Sequence, residues 1–220
     1  NQQVRTAIEH AAAIVFYRQQ SLIPVVQTLV CDDAGQFKLL TENLSLCWIH
    51  AGRHYEKLSP VVARHAEALE GFLDRYWNYY ATLQDYCAGP TKKLAKKLRL
   101  EFDELFSTQT MYAALDDRIA KTAAKKDELL TVLLVPEVPL HNNASELGAR
   151  VSARRRDVSL HSHSERGVRA MDIFTTLVQT SKKLGISAFA YLRDRLSGAL
   201  EMPSLAQTIR QTANLATASR

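Results

Sequence analysis

The feature that most restricts how this chain can fold is a helical period running almost without interruption from residue 51 to about residue 135. Leu58, Val62, His65 and Leu69 are followed by Phe72, Tyr76 or Trp77, Tyr80 and Leu83 at spacings of three and four. Such spacing puts side chains on one face of an α-helix. The aromatic group Phe72, Tyr76, Trp77, Tyr79, Tyr80 and Tyr86 has two readings. It is either the core of a helical bundle, which its period favours, or a platform on which nucleic-acid bases stack. Gly89-Pro90 breaks the run. The next helix has Leu94, Leu98, Phe102, Leu105 and Phe106 on its apolar side, with Lys92, Lys93, Lys96, Lys97 and Arg99 as either solvated charges or a phosphate track. A last helix of this region is expected from Met111 to Leu134.

Ahead of it, residues 2–20 read as a helix through Val4, Ile8, Ala11 or Ala12, Val15 and Phe16. Val25 to Cys31 is rich in β-branched residues and reads as a buried strand, with a second short strand expected from Leu44 to Ile49. Asp32, Asp33, Ala34 and Gly35 form the exit turn of the first strand. An acid at the carboxyl end of a buried strand is where open α/β sheets place ligand chemistry, which makes Asp32 a candidate. Asp is also a common turn former that bonds its own backbone, and such a turn needs no function.

Pro136 to Arg150, PEVPLHNNASELGAR, holds a second candidate acid. Two prolines interrupt any incoming helix, and Asn142 or Asn143 can cap a new one with Glu146 in its first turn. If that helix reaches Arg156, then Glu146, Arg150 and Arg154 share one stripe, an acid followed by two bases. The stripe could hold a metal ion and then a phosphate backbone. Asn143-x-x-Glu146 is equally a capping box that merely closes the helix end. Residues 157–166 are polar and turn-like; helices are expected over Gly167–Leu184 and Ile186–Leu200, and residues 201–220 as a loosely ordered tail.

The net charge of +5 is unevenly placed. Residues 141–200 contain ten Lys or Arg and five acids, whereas the rest of the chain has eighteen of each. A local basic surplus is the footprint of a nucleic-acid contact, or simply a solvated surface. No apolar run approaches the ~18 residues that span a bilayer, so no membrane role is expected. The first residues lack a signal-peptide pattern. Three widely spaced cysteines, Cys31, Cys47 and Cys87, suit a reducing compartment. A cytoplasmic protein is therefore the expectation. Cys47-x-x-His50-x-x-x-His54 has metal-ligand residue types and its histidines share a helix face, but no second pair completes a zinc site, and His161-Ser162-His163 is similarly weak. Phosphate-loop, dinucleotide, serine-hydrolase and zinc-protease motifs do not occur.

The runs CDDAGQF, LCWIHAGRHYEKL, LLTVLLVPEVPLHNNASELGAR and TSKKLGISAFAYLRDRL, in that order, resemble transposases of the insertion-sequence-66 type over roughly residues 24–196. The resemblance implies a DDE transposase with a ribonuclease-H-like catalytic domain, in which three acids bind two Mg²⁺. It points to Asp32 rather than Asp33 as the second acid, because CDDAGQF resembles the Asp-Asn-Gly-x-x-Phe turn of related integrases, and to Glu146 as the third. Two ions about 3.5 to 4 Å apart would activate a water or a 3′-hydroxyl and stabilise the leaving oxygen. Arg150, Arg154, Arg155, Lys182 and Lys183 would hold the DNA backbone, positioning it without reading sequence.

The implied fold class is mainly α with a small β component (α/β), a partial ribonuclease-H-like fold carrying a large helical insertion. Residues 1–50 would be the partial core, 51–135 the insertion, 136–200 the Glu146 helix and the carboxyl-terminal helices, and 201–220 the tail. The family's first acid sits on a strand ahead of a helix like residues 2–20. Here the resemblance supplies two of three metal ligands and two of five strands, so the chain is expected to be the carboxyl-terminal part of a transposase that does not cleave DNA alone. The implied partners are the DNA ends of the insertion element and further copies of the chain in a homo-oligomeric transposition complex. The competing classes are a noncatalytic DNA-binding or regulatory remnant and a helical interaction protein without a nucleic-acid role.

Overall fold

A computed structural model describes residues 2–21, 25–159 and 164–218. The His161 to His163 cluster lies outside the described residues, as do the side chains of Arg155 and Arg156. The protein is mainly α with one small parallel sheet, and it divides into two compact units, residues 1–142 and 143–220.

The first unit begins with α1 (Gln2–Gln19), which is held by Arg18 donating to the carbonyls of Leu40 and Thr41 and by the Tyr17 hydroxyl accepting from Val26 N. Strands β1 (Thr28–Cys31) and β2 (Asn43–Leu46) pair in parallel, with Thr28 opposite Asn43 and Cys31 opposite Leu46. The second strand is shorter than the expected Leu44–Ile49. Cys47 N donates to Cys31 O and closes the ladder, and its own carbonyl accepts from Ala51 N and opens a helix. That helix, α2 (Trp48–Glu56), buries Trp48, Gly52 and Tyr55. Aromatic and β-branched residues at 48 and 49 mimic a strand, but the buried positions repeat at four and three and so select a helix.

Helices α3 (Ala63–Ala88), α4 (Lys92–Phe106), α5 (Ala113–Ala123) and α6 (Lys126–Leu129) follow. The single helix expected from Met111 to Leu134 is broken. Residues 129–133 are buried one after another, which no single helix face can do, so the chain leaves α6 through a 3₁₀ turn at Thr131–Leu133. The core centres on Trp48, fully buried among the rings of Tyr76, Tyr79, Phe102 and Phe106. Its indole Nε1 donates to Leu129 O at 2.9 Å. The buried tyrosines are satisfied likewise: Tyr76 donates to Trp48 O at 2.7 Å, Tyr79 to Leu98 O at 2.8 Å and Tyr55 to the Thr122 hydroxyl at 2.6 Å. A buried ring gains its burial energy only if its polar end is paired. The aromatic stripe is therefore core rather than a stacking platform.

The second unit contains α7 (Asn143–Ser159), α8 (Glu165–Lys183), α9 (Ala188–Ser197) and α10 (Leu205–Ala218). Ser164 and Ser187 cap α8 and α9 by accepting from Gly167 N and Ala190 N. Gly185 and Gly198 end them in the left-handed conformation that glycine adopts without strain. α9 and α10 pack against α8. The stretch expected as a loose tail is helical because Ser204 and Gln207 form a capping box. The Ser204 hydroxyl accepts from Gln207 N, and the Gln207 side chain accepts from Ser204 N.

Candidate active site

Both strands of the parallel pair point their carboxyl ends the same way, so the residues that follow them meet at one edge. β1 delivers Asp32 and Asp33, and β2 delivers Cys47 and the first turn of α2. His50 and His54 lie one turn apart on α2, and Arg118, Lys121, Thr122 and Lys125 descend along one side of α5 and its exit. All of these, with Leu46, Ala51 and Leu129, line a single cavity in the first unit. The Tyr55 to Thr122 hydrogen bond ties α2 to α5 across its floor.

The two aspartates differ. Asp33 has a left-handed backbone (φ 71°), and its half-buried carboxylate is paired with the Lys125 ammonium. Asp32 is exposed and its Oδ1 accepts from Ala34 N at 3.3 Å, the turn-forming bond expected of an Asp at this place. Its second oxygen has no protein partner among the described residues. Asp32 is thus the carboxylate free to meet a ligand, and its hard oxygen is the donor type that Mg²⁺ takes.

The opposite wall is basic. Lys121 pairs with Asp117 of its own helix at 2.6 Å, both side chains being largely exposed. The Arg118 guanidinium has no carboxylate within ion-pair reach among the described residues. Partial burial, and then the positive field of Arg118, Lys57, Lys125 and His50, hold His54 below the usual histidine pKa. Burial pushes the Cys31 thiol up, with further upward contributions from Asp32 and Asp33, so Cys31 is a packed thiol rather than a nucleophile.

In the second unit Glu146 stands in the first turn of α7, with Arg150 one turn on; their charged atoms are 3.9 Å apart. Arg154 is exposed a turn further along, and Lys182 and Lys183 are exposed in the last turn of α8. Arg118, Lys121 and Lys125 were missed from sequence. Their spacing of three and four is a legible basic stripe, but nothing in the residue order sets that stripe opposite Asp32.

A family model, that of the IS66 transposase family, matches residues 10–170. The chain is also similar to an uncharacterized protein, y4jO, of Sinorhizobium fredii, with 40% identity over 168 residues, covering 76% of this chain and 52% of that protein. It thus spans about half the length of the curated relative it matches. No solved structure matches it. On the strength of a family match running through both strands, the helices after them and the Glu146 helix, this chain belongs to the IS66 family of transposases.

Proposed function

We propose that this chain is the part of a DDE-type transposase that carries two of its three metal-binding acids, Asp32 and Glu146, and serves metal-dependent DNA cleavage and strand transfer. The observation that carries the reading is Asp32: a carboxylate with a free oxygen at the carboxyl ends of parallel strands, beside an Asp33 already committed to Lys125, in a member of this family. On this reading β1, β2 and α1 belong to a ribonuclease-H-like core, residues 51–135 are a helical insertion, and DNA is the partner, engaged by a homo-oligomer at the element's ends.

Bound divalent ions, Mg²⁺ in this reading, would activate the attacking oxygen and stabilise the leaving one. The chain's own residues do the rest. Asp32 and Glu146 offer anionic oxygens, Asp33 steadies the turn through Lys125, and Arg150, Arg154, Arg155, Lys182 and Lys183 neutralise backbone phosphates. The first turn of α7 is a suitable place for such an acid, because the positive end of the helix attracts negative charge.

The test is Mn²⁺ binding followed by electron paramagnetic resonance, with circular dichroism confirming the fold. Asp32→Asn and Glu146→Gln should each weaken the binding, whereas Asp33→Asn should leave it and cost at most about 1 kcal/mol of stability, as partly exposed ion pairs do. Equal Mn²⁺ affinity in all four proteins would refute the metal reading. Salt-dependent DNA binding indifferent to the metal would then favour a noncatalytic DNA-binding or regulatory protein.

A further inference from the structure

The cavity at the strand ends holds more positive charge than an acid site alone needs. Its wall is supplied by α5, part of the long helical region between the two candidate acids. Arg118 is half-buried there, with its backbone fixed: its carbonyl accepts from the Thr122 hydroxyl at 3.0 Å, which in turn accepts from the Tyr55 hydroxyl, and its guanidinium remains uncommitted among the described residues. Among the described residues Lys121 is engaged in one exposed pair, with Asp117, which a stronger anion can displace at little cost. His54 faces the same space from α2.

We propose that Arg118, Lys121 and His54 form a phosphate subsite in which the helical region holds a nucleic-acid backbone phosphate beside Asp32. This rests on the transposase reading and names residues of that site outside its acids and its carboxyl-terminal basic surface. A guanidinium fits the role because its planar fork binds two phosphate oxygens at once, whereas an ammonium acts as a point charge. His54 reports on the subsite: burial first, and then the positive field of Arg118, Lys57, Lys125 and His50, lower its pKa, and an anion bound there would oppose the field.

The experiment has two arms on the intact 220-residue chain. In the first, a fluorescein-labelled DNA oligonucleotide is titrated without divalent ions over a series of salt concentrations, using Arg118→Gln, Arg118→Lys and Lys121→Gln, with Arg64→Gln at an exposed position of α3 as control. Arg118→Gln should weaken binding several-fold and lower the slope of log K against log salt by about one. Arg118→Lys should restore the slope but not the affinity, and Arg64→Gln should change neither. In the second arm inorganic phosphate is titrated while the His54 imidazole resonances are followed by NMR. They should move in the parent chain and stay still in Arg118→Gln. If Arg118→Gln binds DNA with unchanged affinity and slope while Lys182→Gln and Lys183→Gln weaken it, the subsite is refuted and the DNA reading stands. If phosphate moves His54 but the oligonucleotide does not bind, the nucleic-acid occupant is refuted and the cavity is a site for free phosphate. A still His54 and an unchanged slope overturn the proposal altogether.

Discussion

Gly52 lies between His50 and His54 on α2, at the closest approach of that helix to α3. A Cβ there would stand 2.6 and 2.7 Å from Trp77 Cη2 and Cζ2, and 3.2 Å from Tyr76 Cε1. Carbon atoms pack at about 3.5 to 4.0 Å, so the Trp77 ring would have to move. It is held edge-on to Tyr76 at 5.0 Å and to Tyr80 at 5.7 Å between ring centroids, and displacing it disturbs both contacts. Overpacking of this kind costs up to about 3 kcal/mol, while alanine is favoured over glycine in a helix by about 1 kcal/mol. Gly52→Ala should therefore destabilise the first unit by about 2 kcal/mol. In a Trp77→Ala background the obstacle is gone, and the same change should stabilise by up to about 1 kcal/mol. The predicted coupling is about 3 kcal/mol, well beyond the additivity expected of independent sites. Urea unfolding followed by tryptophan fluorescence measures it, because both tryptophans, Trp48 and Trp77, lie in the first unit and one remains in every variant. The same cost in both backgrounds, or stabilisation in both, would refute the steric argument.

Two further predictions concern the same core. Trp48→Phe keeps an aromatic ring but removes the indole N–H that satisfies Leu129 O and leaves a void in a fully buried place. A loss of about 2 to 4 kcal/mol is expected, read as a lower urea midpoint of the Trp77 signal. The second is alkaline instability. Burial raises the pKa of Tyr55, Tyr76 and Tyr79, Tyr76 with smaller like-charge contributions from neighbours such as Tyr55. In the unfolded chain a tyrosine ionises near pH 10. The folded state thus holds more protons above that pH, so this stability is complete below about pH 10 and falls as pH rises toward the folded values. Tyrosinate absorbance should show these phenols ionising only together with the unfolding transition, and ionisation in the intact fold near pH 10 would refute the argument.

Elements with a 3.6-residue apolar period were legible in the sequence: α1, the aromatic face of α3, α8 and α9, while the Glu146 helix was legible from its prolines and its Asn cap. Their apolar spacing is a local property, and serine caps and glycine stops mark several ends. Misreadings fell where burial overrode local pattern. Trp48 and Ile49 resemble a strand until the packing around Trp48 is known. Residues 129–133 resemble a helix until all five are found buried. Ser204-x-x-Gln207 is a readable cap, but the small polar residues around it suggested a loose tail. Of the residues lining the strand-end cavity, Asp32 and the shared helix face of His50 and His54 were singled out in the sequence. The basic wall was not, since Lys125 and its partner Asp33 are 92 residues apart and only the fold brings them together.

The charges of the strand-end cavity bear on what it can bind. Asp33 and Lys125 neutralise each other, and Lys121 is shared with Asp117 outside the wall, which leaves one carboxylate, Asp32, against one guanidinium, Arg118. A site of this balance holds a divalent cation measurably but weakly on its own, since the ion keeps most of its water where few anionic oxygens replace it. A free anion meets Arg118 but also the repulsion of Asp32, so it binds there more weakly than a phosphodiester whose divalent ions mask that carboxylate. On the proposed reading, a phosphodiester arriving with its own divalent ions would satisfy both halves, Arg118 taking its oxygens and Asp32 its metal. The half-balanced wall therefore argues against a preloaded metal cage in the first unit. Under the proposed transposase function it favours a surface that would gain its ligand set when nucleic acid is present, as expected where phosphoryl transfer is catalysed by positioning and charge stabilisation rather than by a side-chain nucleophile.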